Sequence, residues 1–216
     1  MIKGAIFDMD GLMFDTERVY CYCWITALEK RGLTAQEGFL QDIVGNSGQK
    51  IMDVITSYYP SLEPHSYYQE VVQMVRDVTE TNLPEKPGIH EILAYFKEKG
   101  IPVAVASSSP PELIRRNLVN AKLEDLVDYW ISGKNVTHGK PAPDIFLASA
   151  DALGLKPEEC YVFEDGINGV MAGLAAGCRT IMVPDVQRPT QEILDSGVPV
   201  YGSLLEVLEA IKNREI

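Results

Sequence analysis

From Pro87 onward the chain alternates short apolar runs with helical stretches, and this alternation most constrains what it can fold into. Pro87-Gly88 opens a helix through Phe96 that stops at Gly100, and Pro102-Val103-Ala104-Val105-Ala106 follows as a buried-type strand. Then come a helix from Pro111 to Asn120, a brief strand at Tyr129-Trp130-Ile131, and a helix from Pro143 to Leu153 ended by Gly154. Tyr161-Val162-Phe163 and Thr180-Ile181-Met182-Val183 read as two more strands around a helix from Gly166 to Ala176, and Ser203 to Lys212 closes the chain as a helix. Strands separated in this way predict a parallel sheet covered on both faces. Right-handed crossovers then gather the carboxyl ends of the strands on one edge.

The opening run Ile2-Lys3-Gly4-Ala5-Ile6 reads as a further strand, but the next segment does not continue the alternation. Glu17 to Lys30, Gln36 to Val44, Gln49 to Tyr59 and Ser66 to Thr81 all read as helical, the last with Val71, Val75 and Val78 as an apolar stripe. The expected architecture is therefore an α/β, doubly wound, Rossmann-like core over residues 1–14 and 83–216. An all-helical cap is inserted at 15–82.

Composition narrows the function classes. At 216 residues the chain suits one domain with an insertion, and it buries roughly 70% of its unfolded surface without disulfide staples. Cys21, Cys23, Cys160 and Cys178 form no paired motif and are expected to be reduced. A net charge of −12 disfavours a nucleic-acid surface, and no apolar run approaches the ~20 residues that span a bilayer. With no basic leader before the first strand, a cytoplasmic protein is expected, and a monomer.

Two carboxylates, Asp8 and Asp10, stand where the first strand ends, in Phe7-Asp8-Met9-Asp10-Gly11. Like charges this close repel unless a cation or a shared proton relieves them. Ser107, Lys140 and the pair Glu164-Asp165 also follow strands or precede helices at the same sheet edge. Each is ordinary alone: a turn serine, a loop lysine, an acidic pair at a helix start. Their joint order points to a metal-assisted site with a carboxylate nucleophile. An EF-hand loop is excluded, since Leu12 and Met13 stand where it needs an oxygen ligand and a glycine. Gly166, Gly169 and Gly173 do not match a nucleotide-loop spacing and read as close helix packing, while His65, His90 and His138 show no ligand spacing. Tyr20, Tyr22 and Trp24 read as cap core.

These motifs resemble those of the haloacid dehalogenase-like hydrolases, over essentially the whole chain. Asp8-Met9-Asp10-Gly11 with Asp15 matches the first motif, Ser107 the second, Lys140 the third and Glu164-Asp165 the fourth. By subgroup the chain looks like the sugar-phosphate phosphatases and β-phosphoglucomutases. The resemblance implies that Asp8 is the nucleophile and Asp10 the general acid and base. It also implies Mg²⁺ held by Asp8, Asp165, the Asp10 backbone carbonyl and Glu164, the last directly or through water. Ser107, neighbouring backbone groups including Ser108, and Lys140 would hold the phosphoryl group.

Asp10 points to phosphate esters, because relatives that cleave carbon–halogen bonds or phosphonates lack an aspartate there. The resembling mutases carry a histidine and an arginine where this chain has Tyr20 and the segment Gly45-Asn46-Ser47-Gly48-Gln49. The expectation is thus hydrolysis of a small phosphorylated metabolite, a sugar phosphate above all, with a phosphosugar mutase as the alternative. A non-catalytic phosphate-binding protein is the second alternative. Glu17, Tyr20, Asn46, Ser47 and Gln49 are the expected substrate-facing residues of the cap.

Overall fold

A computed structural model describes residues 2–44, 46, 48–81 and 83–216. In chain order the elements are β1 (Gly4–Phe7), α1 (Thr16–Glu29), α2 (Phe39–Ile43), α3 (Gln49–Tyr58), α4 (Pro64–Thr81), α5 (Ile89–Glu98), β2 (Val103–Ser107) and α6 (Pro111–Asn120). There follow β3 (Tyr129–Ser132), α7 (Asp144–Ala152), β4 (Cys160–Glu164), α8 (Ile167–Ala175), β5 (Arg179–Met182), α9 (Gln191–Asp195) and α10 (Leu204–Lys212). The chain divides into two compact units, Met1–Phe14 with Glu85–Ile216, and Asp15–Pro84.

The first unit is built on a five-stranded parallel sheet in the order β3-β2-β1-β4-β5. Every residue of β1, β2 and β4 is buried, which is why these strands read as continuous apolar runs rather than as an alternation. Phe7 meets Phe163 at 4.6 Å between ring centroids and Phe96 of α5 at 6.1 Å. A separate apolar cluster joins Ile6, Ala104 and Val162 to Ile145, Phe146 and Ala172 on α7 and α8. After β1 the order runs outward to β3 and then crosses back to β4, so the switch point lies between β1 and β4. Ligands of open α/β sheets bind outside the strand ends at such a point. Asp8 and the end of β4 are therefore neighbours by topology.

The second unit is helical. Trp24, Leu28, Phe39, Ile55, Tyr67, Val71 and Val75 form its core, and the Tyr67 hydroxyl donates to Trp24 O at 2.8 Å. Two expectations need correction. Tyr22 is not core; it is 61% exposed. The helix read over 36–44 shrinks to α2, because Gly38 has φ of +87°, a left-handed conformation that cannot continue into a right-handed helix. Helix α9, unread in the sequence, starts where the Thr190 hydroxyl accepts the Ile193 N–H. Among the described residues no helix is long and apolar enough to cross a membrane.

Candidate active site

The turn after β1 places the first carboxylates. Met13 and Phe14 N–H both donate to Met9 O, and Gly11 N–H donates to Phe14 O, closing the chain tightly behind Asp8 and Asp10. Gly11 has φ of +88°, and a Cβ there would fall 2.2 Å from Asp165 Oδ2. Only glycine meets both demands, the backbone conformation and the close approach.

Lys140 is the hub. Its ammonium donates to Asp8 Oδ1 at 2.5 Å, Glu164 Oε1 at 2.6 Å and Ala106 O at 3.1 Å, and lies 5.0 Å from the Phe146 ring centroid. All three N–H bonds of the ammonium are thus used. Its side chain is 8% exposed. Burial disfavours the charge, but Asp8 and Glu164 outweigh it and hold the ammonium above its ordinary pKa.

Asp8, Glu164 and Asp165 bring one carboxylate oxygen each to within 4.8 Å of one another. Burial raises Asp8, Lys140 pulls it back, and Glu164 and Asp10 push it up again, to about 8. Asp165 is pushed up to about 9 by burial, then by Asp8 and Glu164. Ionised together, the three carboxylates beside one ammonium would leave two negative charges uncompensated. A hard divalent cation with oxygen ligands fits this donor set in charge and in chemistry. Gly169 of α8 leaves room for one of these donors: a Cβ there would fall 1.8 Å from the Glu164 carboxylate. Gly173 likewise meets Thr180 closely (2.5 Å), as close helix packing requires, whereas Gly166 has only ordinary contacts.

Asp10 points elsewhere. Its Oδ2 accepts from Ser107 Oγ at 3.1 Å and Ser109 Oγ at 2.7 Å, and Ser109 N–H donates to Ser107 Oγ at 3.0 Å. Ser132 Oγ donates to Ser109 O and accepts from Lys134 N–H, so the end of β3 buttresses the serine loop. Ser108 is exposed on that loop, which begins where β2 ends and leads into α6.

Six sequence-derived residues, Asp8, Asp10, Ser107, Lys140, Glu164 and Asp165, are therefore brought together at one sheet edge, with Ser108 beside them. Glu17 and Tyr20 lie on α1 of the second unit, where Tyr20 packs partly buried on that unit's core. Asn46 Nδ2 donates to Asp42 O and Gln49 Nε2 to Asp53 Oδ1 in the same unit. Ser47 lies outside the described residues. Ser109, third in the run Ser107-Ser108-Ser109, is a site residue that the sequence alone does not single out, whereas Gly169 makes the close packing expected of it, against the Glu164 carboxylate. His138 is an exposed loop histidine whose Nδ1 lies 3.0 Å from Asp144 Oδ1.

Similarity to known proteins shows the family. A family model described as haloacid dehalogenase-like hydrolase matches residues 2–177. Hexitol phosphatase B of Escherichia coli is 33% identical over 188 residues, 85% of this chain and 84% of the relative. A phosphatase of phosphorylated carbohydrates from Thermotoga maritima is 31% identical over 216 residues, 98% of this chain and 99% of its own length. A crystal structure from Thermotoga maritima, described as a candidate β-phosphoglucomutase, superposes with a TM-score of 0.84 at 28% identity, covering 98% of this chain and 99% of that one. With the family model spanning most of the sequence and the parallel sheet carrying its acids at the switch point, this chain belongs to the haloacid dehalogenase-like hydrolases.

Proposed function

We propose that this protein is a Mg²⁺-dependent phosphomonoester hydrolase that acts on a small phosphorylated metabolite, a sugar phosphate, through an aspartyl-phosphate on Asp8. The observation that carries the reading is the division of labour between the two aspartates. Asp8 faces Lys140 and the acidic cluster, while Asp10 is held apart by serine hydroxyls.

An Asp8 carboxylate oxygen attacks phosphorus, the ester P–O bond breaks, and Asp10 gives its proton to the departing alkoxide. Water then attacks the phosphorus of the aspartyl-phosphate, Asp10 takes the water's proton, and inorganic phosphate leaves with Asp8 restored. Ser107, the backbone around Ser108 and the Lys140 ammonium bind the phosphoryl oxygens and offset the charge that gathers on them. Bound by Asp8, Asp165, the Asp10 carbonyl and Glu164, directly or through water, Mg²⁺ supplies the charge that lets an anionic nucleophile approach a phosphate dianion. The helical segment 15–82 serves as the cap that sets substrate choice, with Glu17, Tyr20, Asn46, Ser47 and Gln49 as its contacts.

The curated relatives named as phosphatases of hexitols and phosphorylated carbohydrates support the substrate class. The likeness to a candidate β-phosphoglucomutase gives the mutase reading its own support. Hydrolysis is preferred because Tyr20 and the segment 45–49 supply no cation for a second phosphate.

Inorganic phosphate release from hexose, hexitol, nucleoside and pseudouridine phosphates, with Mg²⁺ and with EDTA, tests the reading. We expect Mg²⁺-dependent release that EDTA abolishes. Conversion of β-glucose 1-phosphate to glucose 6-phosphate faster than phosphate release, with a bisphosphate primer, would establish the mutase instead. No turnover of any substrate would favour a phosphate-binding protein.

A pH effect follows from the acidic cluster. Asp8 and Asp165 are held far above their ordinary value of 3.8, so between about pH 4 and pH 9 these two sites hold more protons in the metal-free folded chain than in the unfolded one. Their contribution to metal-free stability therefore falls as pH rises through that window. Mg²⁺ competes with those protons. Calorimetry should show a larger Mg²⁺-induced rise in Tm at about pH 8.5 than at about pH 6; equal rises would contradict the ligand assignment.

A further inference from the structure

One part-buried acid lies outside the roles assigned so far. Asp185, in the loop after β5, accepts from Lys86 Nζ at 2.5 Å through Oδ1, and its side chain is 13% exposed. Its other oxygen, Oδ2, is buried with no hydrogen-bond partner among the described residues. A buried carboxylate oxygen without a donor is unfavourable unless a ligand or water supplies one.

The surroundings indicate what supplies it. Val183 N–H donates to Glu164 O at 2.7 Å, and Gln187 Oε1 accepts from Ile167 N–H at 3.2 Å. The loop that carries Asp185 therefore runs alongside the Glu164-Asp165 turn. Gly11, Lys86 and Pro184 share the lining of a cavity of about 120 Å³, and Gly11 is the residue pressed against Asp165 Oδ2. The Asp185 charge also contributes to the upward push on Asp165.

We propose that Asp185 is a positioning residue for the divalent cation, its unpartnered oxygen accepting a hydrogen bond from a water in the cation's shell. This rests on the metal assignment made above. Mg²⁺ surrenders its waters reluctantly, and each retained water needs an acceptor. Outer partners of this kind orient the shell and raise affinity. Lys86 opposes the effect, because it neutralises part of the Asp185 charge while holding the carboxylate in place.

Isothermal titration of Mg²⁺ into substrate-free protein tests this with no reference to turnover. Asp185→Asn keeps an oxygen for Lys86 but loses the charge and can place an N–H₂ where an acceptor is needed. Its Kd should rise by about tenfold or more. Lys86→Gln removes a cation near the site and should leave Kd unchanged or lower. A structural role for the ion pair alone would weaken binding equally in both variants or in neither, and either result overturns the proposal. If the wild type itself takes up no Mg²⁺, the metal assignment fails; uptake by Asp185→Asn equal to wild type overturns only the role of Asp185.

Discussion

Asp8→Asn should lower phosphatase turnover by about 10⁴-fold or more, the scale on which loss of a covalent nucleophile is felt. Asparagine matches aspartate in shape, and its carbonyl can still accept from Lys140. It cannot form the acyl phosphate. It also removes one of three mutually repelling acids, so the metal-free variant should melt no lower than the wild type. The pairing of lost activity with retained stability separates a chemical defect from a folding one. Trapping with a radiolabelled phosphate ester should leave label on the wild-type chain in a quenched reaction and none on the variant. Undiminished turnover by Asp8→Asn would remove Asp8 from the role.

Asp10→Asn should lower turnover of an alkyl phosphate by about 10²- to 10⁴-fold, the usual range for a general acid or base. Its signature differs from that of the nucleophile. An aryl phosphate has a leaving group that needs little protonation, so transfer to Asp8 should proceed in the variant. The second half, in which Asp10 would deprotonate water, should stall. Rapid-quench kinetics with p-nitrophenyl phosphate should then show a burst of about one equivalent of nitrophenolate per enzyme, followed by slow release. Asn can still accept from Ser107 and Ser109, so the serine loop should keep its arrangement. Equal losses on alkyl and aryl esters with no burst would count against the acid–base role.

The two aspartates show how far the sequence could be read. Asp8 and Asp10 ended a run of apolar residues, and β1 is fully buried, so no packing argument explains acids there. The strands were legible for the same reason: continuous apolar runs mark a sheet covered on both faces. The length of α2 is not legible because φ at Gly38 does not show in composition, and α9 is not legible because five residues carry too little periodicity. Tyr22 is exposed against expectation because helical spacing gives the period of a face but not which flanking residue turns outward.

The order of the chemistry-bearing groups and the edge on which they gather follow from the amino-acid sequence. Right-handed crossovers in a parallel sheet leave little choice of where strand ends lie. Which oxygen meets which donor emerges only in the folded molecule. Lys140 bridges Asp8 and Glu164 from 132 and 24 residues away, and Ser109 joins Ser107 on Asp10. The orphaned oxygen of Asp185 appears only once the loop after β5 lies beside the β4 turn. Hydrogen bonds depend on tenths of an ångström and on direction. Those are properties of packed side chains, and no spacing along the chain encodes them.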